Sequence, residues 1–258
     1  MSIEHPRGEA FLCKRPLIVA HRGYSGLYPE NTLIAVKEAV KLGVDGVEID
    51  VRVTGDGVLV LMHDESVDRT TNGKGKVRDL GWSEIKTLDA GSWKSLKFSG
   101  EPVPTIDEVL AETVGRVVLH IEIKELGIEQ QVIESVKQAG GREWVLITSF
   151  YPEVISRAKK IEPSIPCSLI IGWLSDAEKS RRGEPVHRAL NCGANALALY
   201  KGRATHEIIS YAHKRLLSTA VWTVNEISEA KAFTDMGADA IVTDYPDTML
   251  NYLRRVVV

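Results

Sequence analysis

The sequence predicts an α/β protein: a TIM (β/α)8 barrel, slightly irregular near strands 2–3, with a small insertion over its C-terminal mouth. The 258-residue chain has about the usual length of such a barrel. From residue 17 onward, short apolar runs alternate with amphipathic segments, the pattern of repeated βα units. A glycine that ends a helix and leads into a buried strand occurs in Leu42–Asp50 and again in Met236–Asp244.

Nine runs have the length and apolar content of strands, and seven segments between them have helical periodicity. The predicted strands are Leu17–Ala20, Gly46–Val53, Val58–Met62, Val117–Ile123, Trp144–Ser149, Cys167–Ile171, Ala196–Tyr200, Ser218–Val224 and Ala240–Thr243. The predicted helices are Thr32–Leu42, Ile106–Thr113, Ile128–Ala139, Pro152–Ile161, His206–Lys214, Glu226–Met236 and Pro246–Arg255. Helix starts are indicated by capping boxes at Thr105–Glu108 and Ser175–Glu178, and by Pro152 and Pro246.

The ninth strand is explained by a hairpin. Only four residues separate Val53 from Val58, too few for the helical connection that parallel neighbours need. The two runs should therefore pair antiparallel around the turn Asp56-Gly57. Either the hairpin counts as one distorted barrel element or the barrel is irregular here. In both cases the reversal of the chain at this turn places His63 level with Glu48.

The chain is predicted to be a single domain, 1–258, with an insertion over 64–103. This stretch is polar and rich in glycine, and it has no clear periodicity. Such a long loop in a compact domain is usually functional or forms a small subdomain. Trp82, Trp93 and Phe98 would be left in water if it were a loose excursion, so we expect it to pack over one barrel mouth.

Composition excludes several classes of function. A formal net charge of −3 gives no electrostatic case for binding nucleic acid or an anionic membrane surface. Cys13, Cys167 and Cys192 are far apart and odd in number, which argues against a disulfide framework or a zinc–thiolate site and favours a cytoplasmic location. The start of the chain has no secretory apolar region, and no run approaches the ~20 apolar residues of an integral membrane segment.

Three carboxylates are predicted to share the barrel interior. Glu48 and Asp50 lie two apart in one strand and therefore on one face, and Glu122 lies inward on another strand. Buried like charges are costly unless a cation lies between them, and an all-oxygen set suits Mg2+ or Ca2+. The alternative is local pairing, either of one carboxylate of the first pair with Arg52 or a helix end, or of Glu122 with Lys124.

Lys124 and His120 flank Glu122 on the same face of that strand. Lys124 could neutralise a phosphate or keep Glu122 ionised. His120 lies lower in the strand and is interpreted as a hydrogen-bonded interior histidine.

Two histidines close apolar strands. His21 and Arg22 follow the first predicted strand, and His63 with Asp64 follows the third. Imidazoles titrate near pH ~6.5, so one could take a proton while the other gives one, with Asp64 orienting His63. Arg22 can clamp an anion in two-point contact, and phosphate is the natural candidate.

One tryptophan could face the substrate. Trp222, near the end of a strand, is either core filler or a wall for an apolar part of the substrate, and Asn225 shortly after it favours the wall. The remaining histidines in helical, charged surroundings are expected at the surface: His187, His206 and His213.

Together these motifs resemble the glycerophosphodiester phosphodiesterase family. The resemblance runs in order from about His21 to Pro246. Its motifs are His21-Arg-Gly with Pro29-Glu-Asn-Thr32, Glu48-Ile-Asp50, Asp56-Gly with His63-Asp64, Asp68-Arg-Thr-Thr-Asn72, Gly100-Glu-Pro-Val-Pro104, Ile121-Glu-Ile-Lys124, Ser149-Phe150, Val221-Trp-Thr-Val-Asn225 and Thr243-Asp-x-Pro246.

The resemblance implies a TIM barrel that hydrolyses glycerophosphodiesters to glycerol 3-phosphate and an alcohol with one divalent cation, Mg2+ or Ca2+. The net charge predicts no nucleic acid partner, and a homodimer is a further prediction. The roles carried over are acid and base for His21 and His63, metal ligands for Glu48, Asp50 and Glu122, phosphate contacts for Arg22 and Lys124, and the glycerol side for Trp222.

Three other functions stay open at this stage. A phospholipase D-like enzyme acting on lysophospholipids or sphingomyelin would need an apolar patch on the insertion. A non-enzymatic binder of phosphorylated small molecules would not need both histidines. A metal-dependent sugar isomerase has only fold analogy in its favour.

Overall fold

The computed structural model describes residues 15–172 and 183–256, and its centre is a closed parallel barrel. The first strand pairs with both the second and the last, which closes a ring of eight parallel strands. In chain order the strands are β1 (Leu17–Ala20), β2 (Gly46–Val53), β3 (Leu59–Leu61), β4 (Val118–Ile123), β5 (Val145–Ser149), β6 (Cys167–Ile171), β7 (Ala196–Tyr200), β8 (Ser218–Trp222) and β9 (Ala240–Thr243). The predicted TIM barrel is confirmed.

Helices cover the outside of the barrel. Within the described ranges they are α1 (Leu33–Leu42), α2 (Trp82–Ile85), α3 (Ile106–Thr113), α4 (Glu129–Gln138), α5 (Pro152–Ile161), α6 (Glu184–Cys192), α7 (His206–Lys214), α8 (Ile227–Asp235) and α9 (Pro246–Val256). None of them is long and apolar enough to cross a membrane. The predicted starts are confirmed at Thr105, whose capping box with Glu108 is formed, and at Pro152 and Pro246.

The strand that would make nine is β3, and it lies outside the ring. It pairs antiparallel with the last residues of β2, where Val51 lies opposite Leu61. Meanwhile β2 is itself a barrel strand, parallel to β1 and β4. The hairpin therefore counts as one barrel element, as the short turn predicts. Just beyond β3, the Met62 amide donates to the Asp50 carbonyl oxygen (3.0 Å), which brings His63 to the rim of the barrel.

Alternation along the strands separates the core from the interior of the barrel. Ile49, Ile121 and Ile147 are fully buried in the main hydrophobic cluster, together with helix residues such as Val132 and Ile155. The residues between them on each strand point the other way, into the barrel. Apolar packing thus holds the polar inward residues on a rigid frame.

Two helices were not predicted: α2, a single turn within the insertion, and α6, whose overall hydrophobicity is low. Helix α6 buries Pro185, Val186, Ala189 and Cys192, a face made of small or weakly apolar side chains. The expected capping box at Ser175–Glu178 lies outside the described residues.

The insertion is packed rather than loose. Together with β3 it forms its own small hydrophobic cluster, whose buried members are Val60, Met62, Val67, Val77, Ile85, Ala90 and Val103. Phe98 packs on Tyr28 with ring centroids 5.5 Å apart. Trp82 packs against the cluster, while Trp93 stays 38% exposed. The Lys94 Nζ donates to the Ser25 carbonyl oxygen (2.8 Å), which ties the insertion to the loop after β1 at the carboxyl mouth.

Asp89 is predicted to stabilise the insertion. Its carboxylate accepts hydrogen bonds from the Ser92 hydroxyl and from the backbone of Ser92, Gly100 and Gly91. These bonds, led by that of the Ser92 hydroxyl, hold the pKa of Asp89 well below its usual range. We expect Asp89→Ala to lower the free energy of unfolding by about 1–3 kcal/mol, because several donors lose their acceptor. Urea titration measures this. An unchanged midpoint would contradict it.

Candidate active site

The predicted site residues meet at the carboxyl end of the barrel strands. His21, Arg22, Glu48, His63 and Glu122 all line one cavity of about 440 Å3. They come from the loop after β1, from β2, from the segment after β3 and from β4. A cavity at the carboxyl end of a parallel barrel is where such folds place their active sites.

Three carboxylates form a buried cluster here. Asp50 and Glu122 lie opposite each other in the pairing of β2 with β4, and Glu48 precedes them on the same face. Ligand atoms of all three lie within 4.8 Å of one another. Burial, together with the neighbouring carboxylates, raises the pKa of Glu48 well above its usual range and that of Glu122 to about 7. The cluster therefore holds more negative charge than its surroundings easily support.

Asp50 is the best-compensated member of the cluster. Arg22 Nε lies 3.3 Å and Lys124 Nζ 3.2 Å from its carboxylate oxygens. The Asn31 amide nitrogen donates to it (2.8 Å), and the Asn31 Oδ1 accepts from the Asp50 backbone (3.0 Å). Burial alone would raise the pKa of Asp50, but the charges of Lys124 and Arg22 outweigh it and hold this pKa well below its usual range.

Local pairing does not satisfy the cluster. Arg52, the alternative partner, instead donates twice to the His63 carbonyl oxygen (3.2 and 2.9 Å). Lys124 does pair with Glu122 (2.7 Å), as the other alternative expected, but it also reaches Asp50. The Glu48 carboxylate accepts only a backbone bond, from Arg22 (2.9 Å), among the described residues. Three buried oxygen ligands with excess negative charge fit a hard divalent cation.

His21 is held by a carboxylate. Its Nδ1 lies 2.7 Å from Asp244 Oδ1. The Asp244 carboxylate also accepts from Ser25 Oγ (2.9 Å) and from Asn225 Nδ2 (2.7 Å). Burial opposes the charge of Asp244, but these contacts, led by His21, lower its pKa to about 2. An ionised Asp244 keeps the proton of His21 on Nδ1 and leaves Nε2 for chemistry.

His63 is held in the same way. Its Nδ1 lies 2.7 Å from Asp64 Oδ1, as the sequence predicts. Arg69 Nε donates to Asp64 Oδ2 (2.6 Å), and that bond is the main reason why the pKa of Asp64 is lowered to about 2. Burial, assisted by the charges of Arg22 and Lys124, lowers the pKa of His63 despite the opposing charge of Asp50.

Arg22 is fixed by its backbone and by Glu30. It adopts φ 55°, a left-handed conformation that is uncommon outside glycine, and Asn31 shares it. Arg22 Nη1 donates to Glu30 Oε1 (2.7 Å). Gly23, at φ 78°, runs so close to α1 that a Cβ there would lie 2.7 Å from the carbonyl carbon of Ala35. The strained loop thus holds the Arg22 guanidinium at the cluster.

Trp222 lines the same cavity beside two other aromatic rings. Its indole nitrogen donates to the Ala198 carbonyl oxygen (3.1 Å). Phe150 and Tyr200 meet it at centroid distances of 5.7 and 5.6 Å. It is partly exposed rather than enclosed in the core, so its position fits the predicted wall.

His120 differs from its prediction in one respect. It lies inside the barrel, as expected, but no described residue forms a hydrogen bond with it, and its ring faces the cavity. Burial lowers its pKa to about 4. The predicted hydrogen bond is therefore wrong. His187, His206 and His213 are at the surface, as predicted.

Sequence reasoning missed the residues that hold the site together. Glu30 bridges Arg22 and Arg69, and Asn31 binds Asp50 through both side-chain and backbone atoms. Asp244 supports His21. Each of the three belongs to a recognised motif, but their spacing in sequence gives no sign of which charged groups they meet.

Arg69 is predicted to matter for turnover although it lies on the insertion. It donates to Asp64 and, at 2.8 and 3.0 Å, to both carboxylate oxygens of Glu30. It therefore links the carboxylate that holds His63 to the carboxylate that holds Arg22. We expect Arg69→Ala to lower kcat about tenfold or more by loosening both groups. Steady-state kinetics measure this. Arg78→Ala, on the same insertion, is the control, and equal kcat values for the two variants would contradict the prediction.

Barrel, acidic cluster and paired histidines define the class: a TIM-barrel enzyme with its site at the carboxyl end of the strands. Residues 21–248 match the model of the glycerophosphoryl diester phosphodiesterase family. The chain is 38% identical over 248 residues to a glycerophosphodiester phosphodiesterase of Caldanaerobacter subterraneus, covering 93% of this chain and 99% of that one. It therefore belongs to the glycerophosphodiester phosphodiesterase family, and its activity is of that type.

Solved structures agree with this assignment. A glycerophosphodiester phosphodiesterase from Agrobacterium tumefaciens is similar with a TM-score of 0.78 and 31% identity, covering 90% of this chain and 97% of that one. A phosphodiesterase from Oleispira antarctica, solved in complex with the product sn-glycerol-3-phosphate, is similar with a TM-score of 0.81 and 29% identity. The match covers 93% of this chain and 97% of that one.

Proposed function

We propose that this enzyme hydrolyses glycerophosphodiesters, such as glycerophosphocholine or glycerophosphoethanolamine, to glycerol 3-phosphate and an alcohol by acid–base catalysis between His21 and His63. One observation carries the proposal: two imidazoles, each with a carboxylate on Nδ1, share a cavity with the buried carboxylate cluster. The product named for the Oleispira antarctica relative agrees with this substrate class.

Glu48, Asp50 and Glu122 would hold one divalent cation, Mg2+ or Ca2+. When bound, the cation would act as a Lewis acid toward the phosphate oxygens. The geometry supports this because the three carboxylates are close together and buried, and only Asp50 is paired with two cationic side chains.

The histidines would move the protons. With Nδ1 bonded to Asp244 or Asp64, each imidazole offers Nε2 to the substrate. One takes the proton of the nucleophile, and the other gives a proton to the departing alkoxide, a division typical of general acid–base catalysis. The carboxylates stabilise the imidazolium that forms in each case.

Arg22 and Lys124 would bind the phosphate. Both are cations at the edge of the carboxylate cluster, and both are less than one-fifth exposed. In a water-poor site their charges stabilise the negative charge that grows on the phosphate oxygens in the transition state. Trp222, partly exposed on the cavity wall, would contact the glycerol side of the substrate.

A substrate panel with and without EDTA tests the proposal. Glycerophosphocholine and glycerophosphoethanolamine should release glycerol 3-phosphate, EDTA should abolish release, and Mg2+, Ca2+ or Mn2+ added back should restore it. Binding of a phosphorylated compound without turnover would instead favour the non-enzymatic binder. Turnover that is unaffected by EDTA would reject the role of the carboxylate cluster.

The remaining predictions concern organisation. We propose that residues 1–258 act as one catalytic domain whose insertion, 64–103, covers the mouth, and that the enzyme works in the cytoplasm, as the scattered cysteines favour. Homodimer formation also stays a prediction, and sedimentation measurements test it.

A further inference from the structure

The cavity does not end at the catalytic groups. It is lined at one end by His63 and Trp222 and at the other by Leu17, Val118 and Asp239, so it extends through the barrel from the carboxyl to the amino end of the strands. Parallel barrels of this size are usually filled by layers of Val, Ile and Leu. This barrel therefore has a central channel, which we call the lumen.

Small side chains leave the lumen open. On the half of the barrel formed by β6 to β9, the inward positions are occupied mainly by alanine and serine. These residues are Ser168, Ala196, Ala198, Ser218, Ala220 and Ala240. The volume of about 440 Å3, shared with the catalytic mouth, lies within the roughly 300–1,000 Å3 of small-molecule sites.

One polar side chain faces the lumen without a partner. His120 is among the residues that line this space, and no described residue forms a hydrogen bond with its ring. An imidazole inside a folded protein usually has a hydrogen-bond partner, so His120 points to a ligand that brings a polar atom to this depth.

The lumen suits a slender, mostly apolar ligand. Alanine side chains and Leu146, Ile170 and Val242 dominate its wall, and polar atoms occur on β4 to β6 and again at the amino end. A ligand there would enter past the catalytic groups, because both share one cavity. The ligand that fits is part of the substrate, a single unbranched chain with an ester or ether oxygen near its head.

We propose that the lumen binds the apolar chain of a phosphodiester substrate such as a lysophospholipid, while the phosphate lies at the carboxylate cluster. This rests on the proposed function. In the reaction, water forms a new P–O bond, the P–O bond to the head-group alcohol breaks, and the proton from water ends on that alcohol. The chain itself is unchanged and serves only for binding.

Blocking the lumen tests the proposal. Ala220 lies halfway along it, and Ala220→Leu, or the smaller Ala220→Val, would narrow it. For wild type, kcat/KM should rise with chain length in soluble short-chain lysophosphatidylcholines, by about fourfold per methylene buried. Ala220→Leu should lower kcat/KM for the longest of these at least tenfold more than for glycerophosphocholine. Ala111→Leu, on the exposed side of α3, should change neither value.

A binding measurement separates this inference from the proposed function. Calorimetry with a straight-chain alcohol should show binding to wild type and at least tenfold weaker binding to Ala220→Leu, in protein whose thermal unfolding remains cooperative. One outcome would overturn the proposal that the lumen binds a chain and leave the proposed function standing. In that outcome glycerophosphocholine is hydrolysed, kcat/KM does not depend on chain length among the lysophosphatidylcholines, and the alcohol does not bind. Binding of the alcohol without any hydrolysis would overturn the proposed function alone.

Discussion

Replacing either His21 or His63 by alanine is expected to lower kcat by about 10²–10⁴-fold, the usual contribution of a positioned acid or base. The reason is the shared geometry: each ring is held through Nδ1 at 2.7 Å by its own carboxylate, so neither can take over the role of the other. Steady-state hydrolysis of glycerophosphocholine measures the loss. KM should change much less than kcat, because Arg22 and Lys124 still bind the phosphate.

A surface histidine gives the matched control. His213 lies in α7 and contacts Asp239 (2.8 Å), which directly precedes β9 and therefore lies at the amino end of the strands, opposite the catalytic mouth. His213→Ala should retain the kcat of wild type. The double variant of His21 and His63 should lose little more than the worse single variant, since the two residues act in one step. Loss of less than tenfold in either single variant would contradict the assignment, provided that thermal unfolding is unchanged.

The frame of the site could be predicted because it depends on short-range patterns. Glu48, Asp50 and Glu122 alternate with Val and Ile, and period-two alternation fixes which side chains point into the barrel. Because the turn after Val53 has only four residues, the chain must return antiparallel to β2, and this brings His63 to the rim. Such features need only local chain geometry.

The supports of the site could not be predicted because they depend on loops that meet in space. Arg69 lies 39 residues from Glu30, and His21 lies 223 residues from Asp244. No periodicity connects these positions. The open lumen could have been found, since Ala196, Ala198 and Ala220 occupy inward positions, but only if the small size of inward side chains is treated as information rather than as weak strand propensity.

Replacing Glu48 by glutamine is expected to have opposite effects on activity and stability. Activity should fall at least about a hundredfold, because a cation ligand is lost from a set of only three carboxylates. The free energy of unfolding measured in EDTA should rise. Burial and the charges of Asp50 and Glu122 raise the pKa of Glu48, so its ionised form is unfavourable in the folded metal-free protein and glutamine removes that charge.

The raised pKa of Glu48 also determines how the stability of the metal-free protein changes with pH. A carboxyl whose pKa is higher in the folded than in the unfolded protein lowers the free energy of unfolding as the pH rises. The loss occurs between the pKa of the unfolded state, ~4.3, and the higher pKa of the folded state. Metal-free wild type should therefore lose stability over that range, and Glu48→Gln should lose less. Urea titrations at several pH values in EDTA measure this, with the exposed Glu143→Gln as control. A divalent cation should stabilise wild type and have little effect on the variant. If Glu48→Gln were less stable than wild type in EDTA, the carboxylates would be held by pairing within the protein rather than by a cation.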